Sequence, residues 1–148
     1  MYRKILVPFE NSSQALSAVE HALKLALVSG AAVTIFHVVQ DALIFSDERI
    51  VKRTGIDRDA VINQAKAGAK AMLNKLKEGL SEHEVKIDTA VAVGSPAREI
   101  CKKAQIEGYD LIIMGSRGLG KIPGLLMGSV SNRVCRNAFC PVIVIHAN

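Results

Sequence analysis

Leu111 to Ala138, LIIMGSRGLGKIPGLLMGSVSNRVCRNA, is the stretch from which the fold is read. It starts as a short, partly β-branched apolar run, Leu111-Ile112-Ile113-Met114, behind Gly108-Tyr109-Asp110, and reads as a buried strand. The strand stops at Gly115, and Gly118, Gly120, Gly124 and Gly128 follow. From Ser129 the pattern turns helical, with Val130, Val134 and Ala138 at four-residue spacing. A strand, a glycine-rich loop and a helix N-terminus in that order outline an anion site. Glycine lets backbone N–H groups turn toward a ligand and lets the ligand come close. The helix start offers unpaired N–H groups and a partial positive charge. Ser129 and Ser131 put hydroxyls in the first turn, and Arg117 and Lys121 add cations to the loop.

Two familiar glycine loops do not fit. Gly115-x-x-x-x-Gly120-Lys121 begins like a Walker A loop, but the next residues are Ile122, Pro123 and Gly124, so the magnesium-binding hydroxyl is missing and no helix begins. The dinucleotide pattern G-x-G-x-x-G fails because Gly118-x-Gly120 is followed by Gly124, one residue late, and because the loop lies near the end of the chain.

Working outward, strands and helices alternate. Lys4 to Pro8 is a first strand whose Ile5-Leu6-Val7 suits burial on both faces, as in a parallel sheet. A helix follows to about Ser29, with Asn11 and Gln14 as its capping pair, Leu16, Val19, Leu23, Ala26 and Leu27 as its apolar stripe, and Gly30 as its stop. Ala32 to Val39 is a second strand. Gln40 to Ile56 is a long connection of mixed character that could fold over a ligand or pack on a helix. Asp57 to about Gly79 is the longest helix, with Ile62, Ala65, Ala69, Met72, Leu73 and Leu76 on one face. Val85 to Val93 alternates like an edge strand. Ser95 and Pro96 open a helix to about Glu107, and Val142 to His146 is a last strand. Such alternation predicts an α/β fold, a five-stranded parallel sheet with helices on both faces.

Composition narrows the function. The chain has 148 residues, enough for one domain with a sizeable core; 49% are apolar, 22% charged and 4% aromatic, without Trp. The core is therefore Val, Ile, Leu and Ala, and the stacking aromatics of a single-strand nucleic-acid binder are missing. A net charge of +5 is dispersed without a cationic run, which fits solubility and an anionic ligand; no nucleic-acid partner is expected. Met1-Tyr2-Arg3-Lys4 leads straight into a three-residue apolar run, so no secretory leader is expected, and no stretch is long enough to span a membrane. Cys101, Cys135 and Cys140 form no C-x-x-C pair and are odd in number, which suits the reducing cytoplasm; Cys101 and Cys135 are expected to be small buried residues. His21, His37, His83 and His146 have no zinc-ligand spacing, and His37 is read as structural. G-x-S-x-G is absent, Glu99 and Asp110 have no identifiable partner, and no catalytic residue is assigned.

Gly115, two residues, Gly118, nine residues, Gly128 and Ser129 resemble the ATP-binding signature G-2x-G-9x-G-[S/T] of the universal stress protein (UspA-type) family. The likeness takes in ILVP of the first strand, FHV of the second, VGSPAREI and the MGSRG and MGSV segments, and so covers nearly all of residues 1–148 as one domain. It implies a Rossmann-like fold of the adenine nucleotide alpha hydrolase-like kind, with strand order 3-2-1-4-5. The edge-like third strand and central-looking first and fourth strands support that order independently. The winding then reverses between strands 1 and 4, where ligands bind beyond the carboxyl ends, and the loops meeting there are Pro8-Phe9-Glu10 and the glycine-rich loop.

Carried over by position, the resemblance implies adenine and ribose against Pro8, Glu10, Val38, Met114 and Gly115. Arg117, Gly118, Gly128, Ser129 and Val130 would hold ribose and phosphates. Magnesium would be bound through the phosphates of ATP. The chain departs from the family at Glu10, where Asp is usual; the longer carboxylate still accepts hydrogen bonds but lands differently. The family also implies a homodimer through Val142, Ile143, Val144 and Ile145, an apolar edge that needs covering. The resulting expectation is a cytoplasmic, nucleotide-dependent regulatory module read by an unidentified protein partner, with weak ATP hydrolysis at most. The competing expectations are a slow ATPase on the same fold and a nucleotide-free dimeric interaction module.

Overall fold

The structure, a computed structural model, describes residues 1–40, 48–117 and 127–146. In chain order its elements are β1 (Lys4–Pro8), α1 (Ser13–Ser29), β2 (Ala32–Val39), α2 (Glu48–Thr54), α3 (Arg58–Gly79), β3 (Ile87–Val93), α4 (Pro96–Ile106), β4 (Leu111–Gly115), α5 (Ser129–Asn137) and β5 (Val142–Ile145). The strands form one five-stranded sheet in the order β3-β2-β1-β4-β5, with all pairs parallel, as the alternation and the resemblance predicted.

Strand periodicity divides the core into two layers. Successive side chains of a strand point to opposite faces. Ile5, Val7, Val33, Ile35, Leu111 and Ile113 meet α1 and α3 on one face. Leu6, Phe36, Ile112 and Met114 meet α4 and α5 on the other. The central strand β1 is therefore apolar at every interior position, and each such side chain contributes roughly 1.5–3 kcal/mol by leaving water.

The amino end of the sheet is fastened by side chains. The Asp110 carboxylate accepts the N–H groups of Arg3 at 2.9 Å and Lys4 at 3.1 Å, and the buried Tyr109 hydroxyl donates to Thr34 Oγ1 at 2.9 Å. Asp110, without a visible partner in the sequence, thus braces the backbone at the end of the sheet away from the carboxyl-end loops.

Several local expectations change. The cap of α1 is Ser12, whose Oγ accepts the Ala15 N–H, while Asn11 takes the left-handed turn at φ 54°. Gln14 is buried and turned elsewhere. The buried stripe of α1 is Ala15, Ala18, Val19, Ala22, Leu23 and Ala26; Leu16 and Leu27 face solvent, because the close-packed seam against the sheet takes small residues. Gly30 ends the helix at φ 76°. Within the connection, residues 48–54 form α2, and residues 41–47 lie outside the described residues. On α3, Ala69 and Leu73 are buried and Ala65 is exposed. Strand β3 begins at Ile87, two residues later than expected; both of its faces are partly covered, with Val91 packed on one layer and Ala90 and Ala92 on the other. Ser95 stands at the N-cap of α4 without a side-chain cap bond. Cys135 is exposed on α5, not buried. Among the described residues no helix is long and apolar enough to cross a membrane.

Leu73 is fully buried between α3 and the sheet, whereas Leu27 is 62% exposed. Leu73→Ala is expected to lower unfolding stability by about 2–5 kcal/mol. Leu27→Ala should change it by less than about 0.5 kcal/mol. Urea denaturation of both variants checks the contrast.

Candidate functional site

The sheet order reverses direction at β1 and β4, so the loops leaving their carboxyl ends diverge and open a crevice. A cleft of about 280 Å³ lies there, close to the lower end of the range for small-molecule sites. Pro8, Glu10, Ser12 and Ala15 supply the wall after β1. Gly115 and Arg117 supply the wall after β4, and Gly128, Ser129, Val130 and Ser131 enter from the start of α5. Ile100 of α4 adds an apolar patch.

Ser116 assembles these walls. It is 2% exposed, and its polar groups are all engaged. Its N–H donates to Ile145 O at 2.8 Å, tying the end of β4 to β5. Its hydroxyl donates to Gln14 Oε1 at 2.9 Å. Its carbonyl accepts the Gly128 N–H and the Ser131 hydroxyl, each at 2.6 Å. The two described ends of the glycine-rich segment are thereby joined at one residue. Such satisfaction is required, since a buried donor without a partner costs about 1–3 kcal/mol.

The start of α5 is electropositive. Its N-cap is Gly128, which makes no side-chain cap bond, and no acidic residue occupies its first turn. The first N–H groups of a helix have no intrahelical acceptor and carry a partial positive charge. Arg117 lies on the same side, and Glu10 faces it from the β1 wall. The described walls hold one carboxylate and neither histidine nor cysteine.

The glycines at either end of the loop differ in purpose. A Cβ on Gly115 would stand 2.9 Å from Gln14 Cβ and 3.2 Å from its carbonyl carbon, so the start of α1 passes too close for any side chain. A Cβ on Gly128 would meet Ser116 O at 3.4 Å, an ordinary contact, and its φ of −77° suits any residue.

Of the residues expected at the site, the structure brings Pro8, Glu10, Gly115, Arg117, Gly128, Ser129 and Val130 together around the cleft. Val38 and Met114 are not among its described walls. Met114 is buried with Leu6 and Ile112 on the α4–α5 face, and Val38 packs against that cluster. Gly118 and Lys121 lie outside the described residues. Ser131, whose hydroxyl the sequence placed at this helix start, also lines the cleft, whereas Ser12, Gln14, Ala15, Ile100 and Ser116 were missed as site residues. The available signal was Gln14, a polar residue in phase with the Ala18, Ala22 and Ala26 stripe. His37 donates Nδ1–H to Phe9 O at 2.7 Å, a structural role beneath the β1 turn. Among the described residues no group of His, Cys, Asp or Glu could hold a metal ion. Burial pushes the Cys101 and Cys140 thiols up from their ordinary pKa, with Asp110 and Cys101 adding to the shift at Cys140, so both stay protonated at neutral pH.

Known proteins agree with this architecture. The sequence profile of the Universal stress protein family matches residues 1–146. Universal stress protein YxiE of Bacillus subtilis is 32% identical over 98% of the chain and 99% of its own length. Universal stress protein MJ0577 of Methanocaldococcus jannaschii is 30% identical over 98% of this chain and 95% of its own. Its solved structure superposes with a TM-score of 0.83, covering 100% of this chain and 98% of that one. A universal stress protein solved in complex with cAMP shares the fold at 23% identity and a TM-score of 0.64, over 98% of this chain and 97% of its own.

The steric contrast predicts unequal alanine variants. Gly115→Ala forces α1 and β4 apart and should cost about 1–3 kcal/mol. Gly128→Ala should cost about 1 kcal/mol or less, the ordinary effect of alanine at an N-cap. Urea denaturation of the two variants measures both.

Proposed function

The chain belongs to the universal stress protein family, and we propose that it serves there as a nucleotide-dependent regulatory module that binds ATP with magnesium. The observation that carries this reading is the closure at Ser116. It brings the uncapped start of α5, Arg117 and the β1 turn around one cleft at the switch point of the sheet.

In this reading the adenosine lies against Pro8, Glu10 and Gly115, with the Glu10 carboxylate accepting from ribose hydroxyls. Val38 and Met114 back that end from the sheet. The phosphates meet the N–H groups of Ser129 and Val130 beside Gly128, whose own N–H is committed to Ser116 O, together with the Arg117 side chain and the Gly118 segment. The phosphate oxygens of ATP would hold the magnesium ion, since the described cleft walls carry only the Glu10 carboxylate. The same poverty in titratable groups favours binding over turnover. Efficient hydrolysis needs a positioned base within hydrogen-bond reach of water, and Glu10 is already assigned to the ribose.

Self-association through β5 belongs to the same proposal. The strand is an edge of the sheet, its four residues are apolar, and Ile143 is 39% exposed. The Ser116 N–H to Ile145 O bond connects the cleft directly to that strand. The three cysteines are free, which suits a reducing cytoplasm.

Calorimetric titration should give micromolar binding of ATP–magnesium, about −8 kcal/mol. Gly128→Val should weaken it at least about tenfold by placing methyl groups where phosphate approaches. Absence of binding to ATP, AMP and GTP would favour a nucleotide-free interaction module instead. Ile143→Lys, which sets a charge on the open edge, is expected to yield a monomer by sedimentation velocity while ATP binding persists.

A further inference from the structure

We propose that Gln14 is a positioning residue for the phosphate end of the cleft, a role that rests on the nucleotide reading above. Its side chain is only 4% exposed, although it is polar and sits in the first turn of α1. Two donors converge on its Oε1: the Ser116 hydroxyl at 2.9 Å and the Arg117 N–H at 2.8 Å. These partners lie 102 and 103 residues further along the chain, so the contact is not part of the local helix cap, which Ser12 supplies. An amide carbonyl has two lone pairs, and both are engaged.

The two ends of the glycine-rich segment are held by different means. The far end is held at Ser116 O by the Gly128 N–H, with Ser131 alongside. The near end begins at Arg117, whose side chain lines the cleft and whose backbone N–H is fixed by Gln14. A second observation is steric. Gly115 lacks the Cβ that would lie 2.9 Å from Gln14 Cβ, and this gap lets the first turn of α1 reach the loop entry. Ser12 and Ala15 of that turn also line the cleft. Gln14 therefore sets the separation between the adenosine wall and the phosphate wall. Without its acceptor, the Ser116 hydroxyl and Arg117 N–H lose their partner, and the Arg117 backbone turns toward water to recover one.

The test compares wild type, Gln14→Met and Gln14→Glu. Methionine has a similar length and no carbonyl; glutamate keeps the acceptor. Each protein is titrated with ATP–magnesium and with adenosine, and hydrogen exchange at the Arg117 amide is followed without nucleotide. In Gln14→Met, Arg117 exchange should accelerate about tenfold or more and ATP affinity should fall about tenfold, while adenosine affinity changes less than about threefold. In Gln14→Glu the Arg117 amide should stay protected. ATP affinity kept within about twofold in Gln14→Met, or lost in equal proportion with adenosine, overturns the positioning role and leaves the nucleotide reading standing. A wild-type protein that binds neither ligand overturns both. If Gln14→Met does not fold, Gln14→Glu decides. A protected Arg117 amide with adenosine bound as in wild type supports the role, and a freely exchanging amide overturns it.

Discussion

The Ser116 carbonyl, accepting the Gly128 N–H and the Ser131 hydroxyl at 2.6 Å each, is the constraint from which the cleft follows. A glycine-rich segment has much conformational entropy to lose, and a binding loop needs fixed ends. Here both ends close on one buried residue that is itself anchored to β5 through Ile145 and to α1 through Gln14. The start of α5 is carried to the mouth of the cleft by this closure, and its position does not depend on a side-chain cap.

The division of labour in the molecule follows from the same geometry. The amino end of the sheet is bound by specific polar contacts, Asp110 to the backbone of Arg3 and Lys4 and Tyr109 to Thr34. Among the described residues, the carboxyl end instead brings the start of α5, Arg117 and Glu10 around one cleft. The first arrangement stabilises a fold, and the second leaves the partial positive charge of a helix start open to the cleft.

The fold was legible because parallel strands covered on both faces read as short continuous apolar runs, as in Ile5-Leu6-Val7 and Leu111-Ile112-Ile113. The phase of α1 was less so. Leucines dominate a hydrophobicity reading, yet the sheet selects Ala15, Ala18 and Ala22 for close approach and leaves Leu16 and Leu27 outside. The glycine spacing marked the cleft, and Pro8 and Glu10 fell beside it by topology. Gln14 and Ser116 could not be paired from the sequence, because nothing local links residues 102 positions apart. Val38 and Met114 were transferred by position alone; burial against Leu6, Ile112 and Phe36 is what their strand phase dictates.

The central place of β1 also bears on synthesis. Its register with β2 joins segments close in sequence, Lys4 with Ala32 and Pro8 with Phe36. Its other neighbour, β4, begins only at Leu111, and the residues closing the cleft come later still. At about 5–20 residues per second, roughly 4–14 s separate the emergence of β2 from that of β4. Throughout that interval the nascent chain carries a central strand with one bare edge. Leu6 and Phe36 meanwhile wait for the helices that will cover them. The cleft is thus completed late in synthesis, and the chain is most exposed to wrong pairing before β4 arrives.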